Sequence, residues 1–150
     1  MSITREVPNT IHLGGPGTEV GDVPASEAIT PGMLIELVAS GGVEKYQKHA
    51  TAGAAPAGRQ TFAMEQSMLN QDVDDAYAAG DLVQAIIGVP GTTIWAIIAS
   101  GANIAVSDKL SSAGNGKLQA VGGGTAMAVA KEAKNNSAGP GDARIRVELI

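Results

Sequence analysis

The chain has 150 residues, a formal net charge of −5 and no cysteine, which excludes disulfides and thiolate-bound metals. Its ten basic residues are scattered and only 3% of its residues are aromatic, so it lacks the basic surface and stacking side chains of nucleic-acid-binding proteins. The longest apolar run, residues 94–99, is far shorter than the roughly 20 residues of a transmembrane helix. We therefore expect a soluble protein, made in a cytoplasm, with neither a nucleic-acid nor a membrane partner.

Residues 1–28 contain many prolines and glycines and few large apolar side chains. Such a segment buries too little apolar surface to offset the entropy of ordering itself. It still contains four spaced apolar residues, Ile3, Val7, Ile11 and Leu13. Two interpretations compete, a flexible tail and an extended arm that orders against a partner, and we favour the arm. Since the core strands are expected to begin near Ile29, truncation after Gly21 is predicted to leave folding intact.

Residues 29–150 are predicted to form a β-rich core domain of short strands separated by turns. Residues 33–39 and 43–49 are strand-like, and the intervening Ser40-Gly41-Gly42 predicts a tight turn. Residues 50–58 are mostly Ala, Gly and Pro and predict a loop, followed by a half-buried strand over residues 61–65.

The best helix candidate lies between residues 65 and 79, and we expect at most one or two turns there. Met64, Met68 and Leu69 fall at helical spacing, but three aspartates, at 72, 74 and 75, follow them. These carboxylates raise the alternative of a metal site, because hard cations prefer oxygen ligands. The spacing lacks the glycine and glutamate of an EF-hand, so we favour a solvated acidic turn.

The stretch from Tyr77 to Val121 organises the chain because a turn-and-strand phrase recurs there. Tyr77-Ala-Ala-Gly80-Asp81-Leu-Val reappears as Ile104-Ala-Val-Ser107-Asp108-Lys-Leu, and earlier as Ile29-Thr-Pro-Gly32-Met-Leu-Ile. We expect strands at 82–87, 93–99, 108–112 and 117–121. Asn115-Gly116 between the last two predicts a tight hairpin, since both residues tolerate positive φ. Trp95 is either a core residue or an interface anchor.

The C-terminal segment predicts one ambiguous and one clear element. Residues 126–132 have either strand or helix character, and their position between turns favours a strand. Residues 143–150 alternate apolar and charged side chains and predict the closing strand. The whole pattern predicts a mainly β fold, a small Gly-rich barrel or sandwich-like domain with an extended N-terminal arm and at most one short helix.

The inventory of reactive groups predicts that the chain is not an enzyme and holds neither a cofactor nor a metal. Only two histidines occur, His12 and His49, and neither has a catalytic partner nearby in the sequence. No Gly-x-Ser-x-Gly elbow, His-x-x-x-His pair or Walker sequence is present. A small ligand-binding or hydrolytic β-barrel remains the alternative, because carboxylates distant in sequence can meet in space.

Several phrases of the C-terminal half resemble the small capsid decoration (cement) proteins of tailed bacteriophages. The resemblance covers residues 77–150, with residues 29–38 fitting more loosely, and it departs from the pattern at Ser107, where glycine is usual. It is carried by Ala79-Gly80-Asp81, Pro90-Gly91, Ala96-Ile-Ile-Ala99-Ser-Gly101-Ala-Asn-Ile104, Asp108-Lys-Leu110-Ser-Ser-Ala-Gly114-Asn-Gly116-Lys-Leu118 and Arg144-Ile-Arg146-Val-Glu148.

The resemblance implies a virion protein on the outside of the capsid, typically a homotrimer, that ties neighbouring major capsid proteins together. Assembly would take place in the host cytoplasm. On this interpretation the arm, with Ile3, Val7, Ile11 and Leu13, binds the shell by strand addition, and several weak contacts in each oligomer act together. Another phage head or tail β-module is the alternative within the same class.

Overall fold

The computed structural model describes residues 6–138 and 141–150, which form short β-strands and one 3₁₀ turn. The strands are β1 (His12–Gly14), β2 (Thr18–Pro24), β3 (Leu34–Ser40), β4 (Val43–Lys48), β5 (Thr61–Ala63), β6 (Leu82–Ile87), β7 (Thr93–Ile98), β8 (Asn103–Ile104), β9 (Lys109–Gly114), β10 (Lys117–Ala120), β11 (Ala128–Ala130), β12 (Lys134–Asn135) and β13 (Ala143–Leu149). The 3₁₀ turn spans Ser67–Leu69. The prediction of a mainly β chain with at most one short helical element is confirmed.

The larger sheet closes on itself. Its order is β1-β7-β10-β9-β11-β13, and β13 also pairs with β7 along six residues. Strands β7, β10, β9, β11 and β13 therefore form a small barrel, with β1 beside β10 on the same edge of β7. Closure removes the free edges that an open sheet would expose. The barrel is filled by aliphatic side chains, among them Ile94, Ile98, Leu110, Leu118, Ile145 and Val147.

The second sheet has the order β2-β6-β5-β3-β4 and also closes, less completely. A bridge between Ala25 and Tyr46 joins the end of β2 to β4. Its interior holds Ile35, Tyr46, Tyr77 and Val83. Leu34, adjacent to Ile35, belongs to the core of the first barrel, because successive strand residues point to opposite faces. Strand β3 thus links the two cores.

The N-terminal segment takes part in both sheets. β1 pairs with β7, β2 pairs with β6, and the Ile11 side chain is 0% exposed within the larger core. Deleting residues 1–21 would remove β1, half of β2 and a core side chain. We therefore expect this truncation to destabilise the chain, contrary to the expectation from composition. Composition did not reveal it because β1 and β2 are held by main-chain pairing, which carries no apolar signal. The domain boundary at residue 28 stays a prediction.

The recurring phrase is a four-residue turn that leads into a strand. In each copy the N–H of the fourth turn residue donates to the carbonyl of the first turn residue at 3.0–3.1 Å, and the third residue has φ between 71° and 97°. The Asp81 and Asp108 carboxylates accept from the first N–H of their turns, at 2.9 and 2.8 Å. The turns precede β3, β6, β7 and β9, at residues 30–33, 78–81, 89–92 and 105–108. The turn-and-strand interpretation is confirmed, with residues 89–92 as an additional copy.

Ser107 is the copy that lacks glycine, and its φ of 71° is costly for a residue with a Cβ. The side chain is exposed. Replacing Ser107 by Gly is expected to raise the free energy of unfolding by about 0.5–1 kcal/mol, since relief of strain exceeds the added entropy of the unfolded chain. Urea denaturation measures this, and Ser107→Ala, which keeps the strain, should match the wild type. A Gly variant no more stable than the Ala variant would contradict the argument.

The other local predictions of the core have clear outcomes. β13 alternates as expected, with Ile145, Val147 and Leu149 buried. Asn115 and Gly116 both adopt positive φ, 52° and 73°, in the hairpin between β9 and β10. Within residues 126–132 the strand alternative is correct, over Ala128–Ala130.

Candidate functional site

The four apolar residues assigned to the N-terminal arm have different environments. Ile3 lies outside the described residues. Val7 is 79% exposed, Leu13 in β1 is half-buried, and Ile11 is fully buried. Of the three that are described, Val7 and Leu13 therefore have surface available to a partner, whereas Ile11 is a core residue in this structure.

Side chains from distant parts of the sequence hold residues 6–11 against the larger barrel. The Glu65 carboxylate accepts from the Ile11 N–H at 2.9 Å and from the Thr10 hydroxyl. The Ile11 carbonyl in turn accepts from the Trp95 N–H at 2.9 Å. The Arg146 guanidinium donates to the Glu6 carbonyl. Glu65 and Arg146 lie more than 50 residues from their partners, and sequence patterns gave no signal for either contact.

Trp95 and two arginines form the outer face of the β7–β13 pair. Trp95 is half-buried and packs on the edge of the larger core, so it is neither a fully buried core residue nor a free anchor. The Arg144 guanidinium lies 5.2 Å from the Trp95 ring centre, within the range of cation–π attraction. Arg146 pairs with Glu132 at 2.8 Å. A groove of about 300 Å³ separates this face from residues 6–8. We call residues 6–8, Leu13, Trp95, Arg144 and Arg146 the N-terminal surface.

The acidic turn contributes to the same region. Asp74 pairs with Arg144 at 2.9 Å, and Asp72 and Asp75 accept from N–H groups inside the turn at 2.8 Å. All three aspartates are exposed. Within residues 6–138 and 141–150, no group of three or more His, Cys, Asp or Glu side chains is placed to hold a metal ion.

A buried serine and a buried histidine meet a half-buried glutamate where the two barrels join. His49 Nδ1 lies 2.7 Å from Ser112 Oγ, and His49 Nε2 lies 3.7 Å from a Glu36 carboxylate oxygen. Ser112 also accepts from the Gly114 N–H at 3.1 Å. The residue types match a catalytic triad, but Ser112 is 0% exposed, and a nucleophile must be within reach of its substrate. The trio instead links β3 to β9 through His49, the residue that follows β4. No sequence pattern indicates this trio, because 63 residues separate His49 from Ser112.

Tyr77, from the recurring phrase, is buried in the second barrel and predicts a pH dependence of stability. Its hydroxyl donates to the Met64 carbonyl at 2.7 Å and accepts from the Gln84 N–H at 3.2 Å. Burial raises the pKa of Tyr77 from 10.0 to about 12. The hydrogen bond from the Gln84 N–H lowers the pKa by a smaller amount, and the nearby carboxylates of Glu65 and Asp81 raise it slightly further. Above pH 10, Tyr77 therefore ionises in the unfolded chain while it stays protonated in the folded chain. Stability is retained below that pH and falls between pH 10 and 12.

Urea denaturation at pH 8 and pH 11.5 tests this dependence. The wild type should lose more stability between the two pH values than Tyr77→Phe, which cannot ionise at this position. Every other titratable group, Tyr46 with its raised pKa included, is present in both proteins, so the difference isolates Tyr77. Parallel losses in the two proteins would show that Tyr77 ionises normally in the folded state.

The mouth of the second barrel holds a groove of about 450 Å³. Its walls include Ile35, Leu37, Tyr46 and Ile87, and Arg59 lies at its rim. Two other polar groups of the wall have partners within the chain: Glu36 accepts from Gln47 at 2.8 Å, and Thr61 donates to the Arg59 carbonyl at 3.1 Å.

The fold and these surfaces define an all-β protein of two small joined barrels. In the described part of the chain, no helix is long and apolar enough to cross a bilayer. No model of a known protein family and no curated protein sequence matches the chain. Among solved structures it is similar to the head fibre gp8.5 N base of bacteriophage phi29, with a TM-score of 0.59 and 12% identity. The similarity covers 90% of this chain and 95% of that chain. At this identity the likeness shows a shared fold.

Proposed function

We propose that the chain is a non-enzymatic structural protein of a phage head, which binds the outer capsid surface and stabilises the shell by bridging major capsid proteins. The observation that carries the proposal is the fold shared, along nearly the whole chain, with the base of a phage head fibre. The sequence resemblance to decoration proteins supports the same role independently. The alternative in this class is another head or tail β-module.

The N-terminal surface is the contact we assign to the shell. Val7 offers an exposed apolar side chain, and the groove beside Trp95 offers a place for a partner side chain. Both arginines at this surface are paired, Arg144 with Asp74 and Arg146 with Glu132, and Arg146 also holds the segment by donating to the Glu6 carbonyl. A homotrimer would present three such surfaces, and the attachments would reinforce one another. Nucleic acid, membrane, metal and cofactor have no part in this role.

Shells that lack the protein provide the direct test. Purified protein is expected to bind them stoichiometrically and to raise the temperature at which they break, and electron microscopy should place it on the outside. Val7→Asp is expected to weaken binding at least tenfold without unfolding the protein. Leu82→Asp, which adds the same charge at an exposed leucine of β6, is the matched control. Failure of the wild type to bind, or density on the tail, would refute capsid decoration.

The second class of function, a small ligand-binding or hydrolytic barrel, has one supporting observation, the groove at the mouth of the second barrel. Its mostly apolar wall fits a binding role better than hydrolysis, because Glu36 and Thr61 are committed to internal hydrogen bonds. A chain that bound no shells but was stabilised by a small apolar molecule would favour this alternative.

A further inference from the structure

The hairpin of β3 and β4 extends beyond the strand that covers it. β4 pairs with β3 from Ile35 to Ser40, but β5 pairs only with Leu34 and Ile35. Past Ile35, β3 therefore has β4 on one side and no strand of the described chain on the other. A groove of about 450 Å³ separates Leu37 from residues 56–59, so the edge is open.

The register shows which backbone groups face this open edge. Gly41-Gly42 forms a two-residue turn between the paired Ser40 and Val43, and the His49 N–H donates to the Leu34 carbonyl at 3.0 Å. The backbone N–H and C=O groups of successive residues point to opposite sides of an antiparallel strand. The even-numbered residues of β3 therefore bond to β4. Leu37 and Ala39 turn their N–H and C=O groups outward. These four groups form a template for another strand.

The neighbouring strands are protected against pairing, whereas this edge of β3 is not. On β4, the Tyr46 carbonyl accepts from the Ser26 N–H at 2.8 Å and the Lys48 N–H donates to Glu27 at 3.1 Å. β2 contains Glu19, Asp22 and Pro24, the residue types that guard free edges. The run Leu37-Val38-Ala39 has no charge and no proline, and Leu37 is 59% exposed.

We propose that this edge pairs with the same edge of a second copy of the chain, antiparallel, with Val38 on the two-fold axis. In that register Leu37 lies opposite the partner's Ala39, and all four outward groups of each copy are hydrogen-bonded. Glu36 lies opposite the partner's Ser40, so no like charges meet. Val38 faces the partner's Val38, a β-branched pair that stabilises sheets. The self-complementary edge identifies the occupant as a second copy.

The paired strands bury little surface compared with the roughly 1,000 Å² or more that a stable interface buries. Association is therefore weak in solution. It is isologous, and it therefore doubles whatever assembly the chain otherwise forms, a monomer to a dimer or a trimer to a hexamer. The inference does not rest on the proposed function. On a surface where copies are held close together, such contacts gain strength from their high effective concentration.

A single cysteine tests the register, because the chain has none of its own. In the proposed pair, position 38 is directly opposite itself at a Cα separation of about 4.5 Å, within the disulfide range of about 4.4–6.8 Å. Val38→Cys is expected to form a covalent dimer at least tenfold faster under mild oxidation than Val43→Cys. Val43 is 49% exposed while Val38 is half-buried. Exposure alone would therefore make the cysteine at position 43 the faster to form a disulfide, which makes it a strict control. Equal rates, or a faster Val43→Cys, would overturn the proposal.

Ala39→Pro tests the backbone pairing. The Ala39 N–H faces the open edge, so its loss removes no bond to β4, and proline is tolerated on such edges. Wild-type protein should double in mass in sedimentation equilibrium as its concentration rises towards millimolar, whereas Ala39→Pro should not. Val38→Lys, which places like charges across the two-fold axis, should also fail to double in mass. This second variant keeps the test decisive if the proline variant misfolds. A wild type that does not double, or variants that double equally, would refute the pairing.

Discussion

Replacing Gly116 by alanine is expected to lower the free energy of unfolding by about 2–4 kcal/mol, from left-handed backbone strain and overpacking together. Gly116 has φ of 73°, and an added Cβ would lie 2.9 Å from Met33 Cβ and 3.0 Å from the Leu34 carbonyl oxygen. The residue also donates to His49 and accepts from Leu34, at 3.0 and 2.8 Å. The hairpin tip of the first barrel is thus wedged against the second, and the substitution disturbs the junction of the two.

Gly122→Ala is the matched control for this experiment. Gly122 is exposed, its φ lies outside the left-handed range, and a Cβ there would meet nothing within 4 Å. Its stability in urea should equal or slightly exceed that of the wild type, because alanine restricts the unfolded chain. If the two variants unfolded at the same urea concentration, the close packing of the hairpin against β3 would be wrong.

Ile11→Ala and Val7→Ala are expected to separate folding from binding within the segment predicted as an arm. Ile11 is fully buried in the larger core, so its truncation should cost about 2–5 kcal/mol of stability. Val7 is exposed, and its truncation should change stability by less than about 0.5 kcal/mol. Urea denaturation of both variants, followed by shell binding of whichever remains folded, measures the two effects.

The opposite pattern would restore Ile11 to a partner-binding role. A stable Ile11→Ala that bound shells poorly would mean that residues 6–14 leave the barrel on assembly and that the shell replaces the core contact. A destabilised Ile11→Ala with normal affinity when folded would assign Ile11 to the core alone. In either case Val7→Ala supplies the reference for an apolar residue lost from the same segment without loss of core packing.

The local chemistry of turns was visible in the sequence. The phrase containing Gly80-Asp81 and its relatives predicted turns that precede strands, because glycine supplies positive φ and a following aspartate bonds back to the turn. Asn115-Gly116 predicted the hairpin for the same reason, and alternation predicted the buried face of β13. Each of these signals depends on residues within a few positions of one another, so the sequence contains all the information they need.

Long-range pairing was not visible. Nothing near Ile11 indicates that Glu65 will hold its N–H or that Trp95 will bond its carbonyl, and nothing near His49 points to Ser112. The breakers in residues 1–28 predicted a segment without a core role, whereas β1 and β2 complete two sheets through main-chain bonds. Main-chain groups are the same in every residue, so their pairing is decided by topology and not by composition.

The sequence by itself therefore determined a β-rich chain, the positions of its turns and the alternation of its last strand. The tertiary structure decided that the strands close into two barrels, that the N-terminal segment belongs to both, and that one edge of β3 is left open. The physical reason is the range of the interactions: φ preferences and periodicity act along a few residues, while sheet closure and edge exposure depend on segments far apart in the chain.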